Sequence, residues 1–356
     1  MRRVGLRDVA ARAGVSVKTV SNVVNNTGRV TPATRRRVQE AVEALGYRPN
    51  LSARNLRRGR TGVISLALPE LAAPYFAELA EAFIRAAEPR SLTVLIDQTD
   101  GRLERERLTS EGRRLHESDG LVFSPLAMTA EDLARRTDDT PLVLLGEHAV
   151  GSPHDHVIVD NRAAAAQAVH HLFSLGRRRV AVIGAQHSGP RDTSELRLAG
   201  YRQALAETGV PYDPALVADV TWFHRADGAR AMRRLLDLPE PPDAVFCFND
   251  LLALGAIRCA HEQGLRVPDD IAVIGFDDIE EGRFSTPTLS TIAPDRRQIA
   301  ETALDLLTRR IAAARRTGPD TTADAPDAAP RVVTVPHTLH ARESTVGPRP
   351  PGVRRG

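Results

Sequence analysis

Apolar residues recur at helical spacing near the start of the chain. Residues 6–13 place theirs at positions i, i+3, i+4 and i+7, which is one face of a helix. Gly14 can end that helix in a left-handed conformation at little energetic cost, because glycine has no Cβ. Ser16 is a good N-cap for a second helix over residues 17–24. A third helix is predicted over residues 32–45. This is the pattern of a helix-turn-helix DNA-binding unit, although the first two helices alone also fit a plain helical hairpin.

Beyond Gly62, apolar runs of strand length alternate with segments of helix length. Short apolar runs between turn residues indicate strands buried on both faces, as in parallel sheets. The predicted strands cover residues 62–68, 92–97, 120–125, 141–146, 157–161, 178–184, 216–220, 244–248, 271–276 and 331–339. The predicted helices cover residues 75–87, 102–117, 131–136, 162–175, 194–208, 225–236, 251–263 and 295–314. This alternation predicts an α/β fold, with two tandem doubly wound parallel-sheet subdomains after the all-α head.

Charge is unevenly distributed along the 356 residues, a length that favours more than one domain. Residues 1–60 contain 14 Lys and Arg against 3 Asp and Glu, a net charge of +11; the whole chain carries +3, so the remainder carries −8. A basic head on an acidic body is typical of a nucleic-acid-binding segment attached to a soluble sensor or enzyme. The sequence shows neither an apolar export segment nor a run long enough to span a membrane, so we expect a cytoplasmic protein.

Motifs of enzyme chemistry are missing from the sequence. It contains no GxxxxGK[ST], no GxGxxG after a strand and no GxSxG. Asp277 and Asp278 are adjacent, and neighbours in an extended segment point apart, so they are not expected to cooperate in hydrolysis. His154 and His156 flank an aspartate in a predicted loop without a third ligand, so we expect no metal site and no cofactor. The two cysteines lie in apolar segments, and no disulfide is indicated.

The chain resembles the LacI/GalR family of bacterial transcription regulators over nearly its whole length. The segments that carry the resemblance together are LRDVAARAGVSVKTVSNVVN, RVTPATRRRVQEAVEALGYRPNLSARNLR, FAELAEAF, VIVDN, LRLAGYRQAL, AVFCFNDLLALGAIRCAHEQGLRVPDDIAVIGFDD and TPTLSTI. The resemblance implies a helix-turn-helix head, a hinge helix and a periplasmic-binding-protein-like core. It also implies a homodimer that binds a palindromic operator in double-stranded DNA, and a small-molecule effector.

This resemblance suggests a division of the chain into five parts. We expect a DNA-binding head over residues 1–47, a hinge helix and linker over 48–61, a first core subdomain over 62–160 plus 292–325, a second over 161–291 plus 326–345, and a tail over 346–356. The tail lacks the apolar heptads of a coiled coil, so we expect a dimer through the core domains and not a coiled-coil tetramer.

The resemblance places the second helix in the DNA major groove, with Val17, Lys18 and Asn22 facing base edges. Lysine suits guanine O6 and N7, asparagine suits adenine N6 and N7, and valine offers apolar contact to a thymine methyl group. Leu56 matches a hinge leucine that similar proteins insert into the minor groove, which costs unstacking energy but permits a bend. Gly5 stands where many members have a threonine N-cap, so the first helix is expected to fray more. The other expected DNA contacts are Ser16, Thr19, Ser21, Asn25, Asn50, Arg54 and Arg57.

The resemblance also implies that a ligand binds in a cleft between the two core subdomains. The matching positions are Tyr75, Phe76, Asp160, Arg197, Phe223, Asn249 and Asp277. Arg197 offers a fork of donors, and Asn249 and Asp277 can accept from hydroxyls. Phe223 supplies a flat face for a sugar ring or a base. Several of these positions follow predicted strands, where ligands of open α/β sheets collect, although either charged residue alone also fits an ion pair at a strand end.

The hypothesis from the sequence is a ligand-responsive, sequence-specific DNA-binding transcription regulator, and specifically a repressor of genes for carbohydrate uptake or catabolism. Its effector is expected to be a sugar or sugar derivative. A purine or nucleoside sensor of the same fold is one alternative. A sugar-binding protein without a DNA role is another, but it would need a signal peptide and would not carry a basic helix-turn-helix head. The sequence identifies neither the effector nor the target genes, and it does not distinguish an inducer from a corepressor.

Overall fold

A computed structural model of the chain describes residues 4–24, 28–47, 61–113, 118–186, 192–316 and 329–348. Two compact units make up the chain, Met1–Gly62 and Val63–Gly356, which we call the head and the core. Among the described residues, no helix has both the length and the apolar character that crossing a membrane requires.

The head contains three helices around a small apolar centre. They are α1 (Leu6–Ala13), α2 (Val17–Val24) and α3 (Pro32–Ala44). Each helix contributes one fully buried valine, namely Val9, Val20 and Val38. These residues lie on the faces that the helical spacing predicts, and their mutual burial is the main stabilising term available to so small a unit.

Both ends of α1 are held by local hydrogen bonds. Gly14 adopts a φ of +64° and donates its N–H to the carbonyl of Ala10, as the glycine turn predicts. Gly5 has no side chain to cap the helix, but its own N–H donates to Asp8 Oδ2 at 2.8 Å. The first-turn carboxylate therefore supplies half of a capping box, which offsets part of the expected fraying.

The core contains two six-stranded sheets in its described part. Their strands, in chain order, are β1 (Val63–Leu68), β2 (Thr93–Gln98), β3 (Leu121–Phe123), β4 (Leu142–Leu145), β5 (Asp155–Val159), β6 (Val180–Ala185), β7 (Val217–Asp219), β8 (Ala244–Cys247), β9 (Ala272–Phe276), β10 (Ser290–Pro294), β11 (Val332–Val335) and β12 (His337–His340). The first sheet has the order β11-β5-β4-β3-β1-β2 and is parallel throughout. The second has the order β12-β10-β9-β8-β6-β7, and only β12 runs antiparallel.

Helices connect most of these strands. They are α4 (Pro74–Ala87), α5 (Leu103–Ser110), α6 (Ala130–Ala134), α7 (Asn161–Ser174), α8 (Asp192–Thr208), α9 (Arg225–Leu236), α10 (Asp250–Glu262), α11 (Glu280–Phe284), α12 (Arg296–Arg316) and α13 (Glu343–Val346). The pairs α4–α12, α7–α8 and α9–α10 pack against each other. Helices α9 and α10 meet so closely that a Cβ on Gly255 would lie 1.9 Å from the carbonyl oxygen of Arg225, so only glycine fits there.

The chain passes between the two sheets three times, near Asp160, near Asp295 and at Pro336. Two of these crossings correct the predicted division of the core. Residues 331–339, predicted as one strand, form β11 in the first sheet and β12 in the second, because Pro336 has no N–H and interrupts the ladder. The third crossing therefore lies at Pro336 and not within 317–330. The second lies after β10, since Ile292 still pairs with β9.

Candidate functional site

The outer face of α2 carries the side chains expected to touch DNA. Val17 is 42% exposed at the start of the helix, and Lys18 is also exposed, on the side of the helix opposite the buried Val20. The hydroxyl of Ser16 accepts the N–H of Thr19 at 3.1 Å, which caps α2. Both hydroxyls remain at the surface 2.9 Å apart, at the helix N-terminus, where backbone N–H groups favour an anion such as a DNA phosphate.

Farther along α2, Ser21 and Asn22 are partly buried. Gly28 approaches Asn22 so closely that a Cβ on the glycine would lie 3.0 Å from Asn22 Nδ2, and its φ of +71° also favours glycine. The loop after α2 therefore limits the side-chain positions open to Asn22. The predicted contacts Asn25, Asn50, Arg54, Leu56 and Arg57 lie outside the described residues.

The predicted ligand residues come from both subdomains of the core. Tyr75 and Phe76 open α4, with ring centroids 5.3 Å apart in an edge-to-face arrangement. Asp277 follows β9 directly, and Phe223 precedes α9. Tyr75, Asp277 and Arg197 interact electrostatically, so the structure brings these three predicted residues into one cluster.

Arg197 on α8 is the centre of this cluster and is only 7% exposed. Its Nε donates to Asn161 Oδ1 at 2.7 Å, and its Nη1 donates to the carbonyl oxygen of Phe248. Its guanidinium carbon lies 3.5 Å from the centroid of the Phe276 ring, a cation–π contact. Burial lowers the pKa of Arg197 from its usual value, and the nearby charge of Asp277 opposes that shift. One edge of the guanidinium is thus fixed by protein groups, which orients the remaining N–H donors.

Asp277 stands on an unusual backbone turn. Asp277 has a φ of +114° and Asp278 a φ of +53°, values that most side chains avoid. Arg296 donates to the carbonyl oxygens of both residues and also pairs with Glu78 of α4 at 2.8 Å. A residue at the start of α12 therefore holds the turn that presents Asp277, and it ties this turn to the first subdomain.

Burial raises the pKa of the Asp277 carboxyl to about 7, while Arg197 and Arg296 act in the opposite direction. Burial also raises the pKa of Tyr75, with the charge of Asp277 adding to the effect. Glu147, which follows β4, has a pKa raised by burial as well. Near neutral pH, Asp277 can thus act either as an acceptor or as a donor of hydrogen bonds.

Compared with the parent, we expect Asp277→Asn to raise the free energy of unfolding more at pH 8 than at pH 5. The folded carboxyl, with a pKa of about 7, keeps a proton that the unfolded one, near 3.8, has already lost. The stability this proton provides is present below pH 3.8 and is lost as the pH rises through 7, by up to about 4 kcal/mol. Denaturant unfolding at both pH values measures it. Equal pH dependence in parent and variant would contradict the assignment.

Two predicted ligand residues are engaged as helix caps. Asn249 accepts the N–H of Leu252 at 2.9 Å and donates to the carbonyl of Phe223 at 3.1 Å, so it also positions that ring's backbone. Asp160 is exposed and accepts the N–H of Ala163 at 2.9 Å. Their caps do not use every acceptor lone pair, and contact with a ligand stays a prediction for both.

The cluster also contains residues that sequence reasoning did not select. Asn161 orients Arg197, and Glu147 accepts the N–H of Val159 at 3.0 Å. Glu147 follows a predicted strand, so the rule that ligands collect at strand ends would have found it. Asp250 is fully buried and accepts from Thr291 Oγ1 at 2.7 Å, and no sequence pattern points to it. In the described part of the chain, no group of three or more His, Cys, Asp and Glu could hold a metal ion.

Comparison with known proteins relates both units to one family. Residues 5–50 match the model of the lacI family of bacterial regulatory proteins, and residues 169–345 match a periplasmic binding protein-like domain. The transcriptional repressor CytR of Escherichia coli is 36% identical over 304 residues, 85% of this chain and 88% of CytR. A complex of the regulator CelR with cellobiose has a TM-score of 0.68 at 30% identity, and it covers 96% of this chain and 100% of CelR.

The lac repressor dimer bound to operator and the anti-inducer ONPF has a TM-score of 0.77 at 27% identity, covering 97% of this chain and 99% of that one. These matches span the head as well as both core subdomains. A core with this fold but without a DNA-binding role would not account for the match of residues 5–50.

Proposed function

The chain belongs to the lacI family of bacterial regulatory proteins, and from this premise we propose that it is a homodimeric repressor whose effector is an uncharged sugar. As a member of this family it is a ligand-responsive DNA-binding transcription regulator. The proposal adds the class of effector, the residues of both sites and the genes, which we take to be those of carbohydrate uptake or catabolism.

The observation that carries the effector class is the charge balance around Arg197. Asp277, Glu147 and Asp250 all interact with Arg197, Arg296 also acts on Asp277, and burial raises the pKa of all three carboxyls. An anionic ligand such as a sugar phosphate would make these carboxyls still harder to ionise, whereas a neutral ligand would not. Carboxylates and amides are good acceptors for hydroxyl groups, and the aromatic rings of Tyr75 and Phe223 offer flat apolar faces. Hydroxyls and ring C–H faces are the two chemical features of a neutral sugar.

A second argument comes from a relative of known ligand. CelR, which shares 30% identity over nearly the whole chain, has been solved with cellobiose. This disaccharide has the chemistry that the cleft favours: many hydroxyls and no charge. A purine or nucleoside remains the competing ligand, because a flat base would also stack on Phe223.

A thermal-shift screen against neutral mono- and disaccharides, sugar phosphates, and purines with their nucleosides tests the proposed effector. A ligand present at about 100 times its Kd stabilises the folded state by about 2.7 kcal/mol. We expect a neutral sugar to raise the Tm and its phosphate to raise it less at equal concentration. A rise in Tm seen only with purines or nucleosides would show that the effector belongs to that class and is not a sugar.

The proposed operator contacts predict how variants of α2 lose sequence preference. Lys18→Ala and Asn22→Ala should each remove about 1–3 kcal/mol of discrimination at one base pair in each half-site. Fluorescence anisotropy with a set of singly substituted palindromic duplexes measures this loss.

Arg36 and Arg37 on α3, both exposed, provide the contrast. Alanine at either position should weaken binding to all duplexes alike or leave it unchanged. If Asn22→Ala still ranks the operator variants as the parent does, α2 does not read the bases as proposed.

A further inference from the structure

Two histidines connect the first and second subdomains across the cleft. His148 follows β4 in the first subdomain, and its Nδ1 is hydrogen-bonded to Asp192 Oδ2 at the start of α8 in the second. His224 precedes α9 in the second subdomain, and its Nε2 lies 3.2 Å from Oε2 of Glu70, which follows β1 in the first. Each pair thus joins a strand end of one sheet to a helix start of the other, and both contacts require the subdomains to be close together.

His148 is the more enclosed of the two histidines, and its Nε2 is buried without a hydrogen-bond partner in the described part of the chain. His148 is 19% exposed and Asp192 is 47% exposed. The adjacent His156 is buried, and burial lowers its pKa to about 4, so it is neutral between pH 5 and 8 and does not compete for the proton. Beside the pair, Thr193 Oγ1 donates to Glu147 Oε2 at 3.3 Å, a further hydrogen bond between the subdomains.

The second pair lies nearer to solvent. The side chains of His224 and Glu70 are 44% and 41% exposed, so the pair is partly screened. The ring of Trp222 is stacked on that of His224, with 6.4 Å between centroids and 19° between planes. Arg225, which follows His224 in the chain, is paired with Glu281 at 3.0 Å.

We propose that the pairs His148–Asp192 and His224–Glu70 form a proton-operated clasp that holds the effector cleft closed. Histidine changes charge between pH 5 and 8, whereas the carboxylates stay charged over most of that range. Protonation converts each pair from a neutral hydrogen bond into an ion pair, and the ion pair exists only while the cleft is closed. By linkage, the closed form binds these protons more tightly, so a falling pH shifts the equilibrium towards closure.

The clasp rests on the proposed function in one respect, that the cleft is the effector site. It predicts that acidification and effector reinforce each other, since both favour the closed arrangement. Two other groups in the cleft also respond to pH, because burial raises the pKa of Asp277 to about 7 and raises that of Glu147. The test must therefore separate the histidines from these carboxyls.

The closure equilibrium is measured on the full chain without effector or DNA. Ala134→Cys on α6 and Ala206→Cys on α8 place one nitroxide label on each subdomain, at exposed positions. The native Cys247 and Cys259 are fully buried and are not expected to react. Distances between the two labels, measured by pulsed electron–electron double resonance at pH 5.5 and pH 8, then report the closed fraction. We expect the ratio of closed to open to rise roughly fivefold on acidification, as for two partly screened ion pairs.

The decisive variant combines His148→Asn with His224→Gln. The asparagine amide can replace Nδ1 of His148 and the glutamine amide can replace Nε2 of His224, so each hydrogen bond is kept while the titration is removed. This variant should lose most of the fivefold change in the closed-to-open ratio, and any remainder would belong to Asp277 and Glu147. His170→Gln is the matched control, because His170 pairs with Glu207 at 3.0 Å within the second subdomain and should leave the response intact.

The outcomes separate the clasp from the proposed function. If the double variant keeps the parent's pH response, the clasp is wrong and the response belongs to Asp277 or Glu147. A parent whose closed fraction does not change with pH also overturns it. Operator binding is followed in parallel by anisotropy: a chain that binds operator but shows no histidine-dependent closure disproves the clasp alone, whereas a chain that closes as expected but binds no palindromic DNA disproves the regulator.

Discussion

Phe284→Asp should convert the dimer into monomers and abolish tight operator binding. Phe284 on α11 is 78% exposed, an unfavourable position for so large an apolar side chain unless a second copy covers it. Leu95 on β2, the edge strand of the first sheet, is 46% exposed, and Ile84 on the adjacent α4 is 50% exposed. An uncovered apolar edge invites association, and we expect an interface between two copies to cover these three residues.

The expected effect is large because the substitution acts twice in a symmetric dimer. An interface anchor contributes about 2–4 kcal/mol per copy, and a buried aspartate without a partner adds a desolvation cost. A monomer also loses the second half-site, so operator affinity should fall by about 10²–10⁴-fold. Light scattering at micromolar concentration and anisotropy on the palindromic duplex measure the two effects.

Leu175→Asp is the control, because Leu175 is 40% exposed at the end of α7 and receives the same charge. It should stay dimeric and keep its affinity for operator. A Phe284→Asp chain with the mass of a dimer would show that the interface lies elsewhere, and a parent with the mass of four chains would contradict the dimer itself.

The strands and most helices of the core could be predicted because each is encoded locally. The runs that form β1, β6, β8 and β9 are almost entirely apolar, as is typical of strands buried on both faces, so the sequence predicts each of them to within a few residues. The passage from one sheet to the other at Pro336 could not be predicted. Residues on either side of this proline have the same strand-like pattern, and their partners, β5 and β10, are far away along the chain.

The candidate site, too, could be predicted from the sequence only in part. The position of Asp277 at the end of a strand was visible in the sequence, because the strand itself was. Its raised pKa was not, since it results from burial in the folded protein, which outweighs the opposing charges of Arg197, 80 residues upstream, and Arg296, 19 residues downstream. The clasp is a further example: Glu70 and His224 are 154 residues apart, and nothing near either residue indicates the other. Residue types and strand ends are local properties, whereas pKa values and bridges depend on the tertiary structure.

Arg197→Ala should abolish the effect of the effector on operator affinity while ligand-free DNA binding stays nearly intact. Coupling between effector and operator is typically 1–3 kcal/mol, or about 5–150-fold in affinity, and it exists only if the effector binds one arrangement of the subdomains better. Arg197 reaches the cleft from α8 and is fixed by Asn161 and Phe248, so its free N–H donors are proposed to distinguish the bound state. Isothermal titration measures effector affinity, and anisotropy measures operator affinity with and without effector.

Two further variants make the result interpretable. Removing a buried guanidinium leaves its partners unpaired at a cost of about 3–5 kcal/mol, so Arg197→Lys, which keeps the charge but loses the fork of donors, is measured alongside. Arg202→Ala on the exposed face of the same helix is the matched control and should respond as the parent does.

Leu56→Ala in the hinge should have the opposite effect to Arg197→Ala. It should keep effector affinity and lose tight operator binding, because the Leu56 side chain is expected to act only on DNA. A chain with Arg197→Lys that is folded and still responds to the effector with the parent's affinity would place the effector outside this cleft.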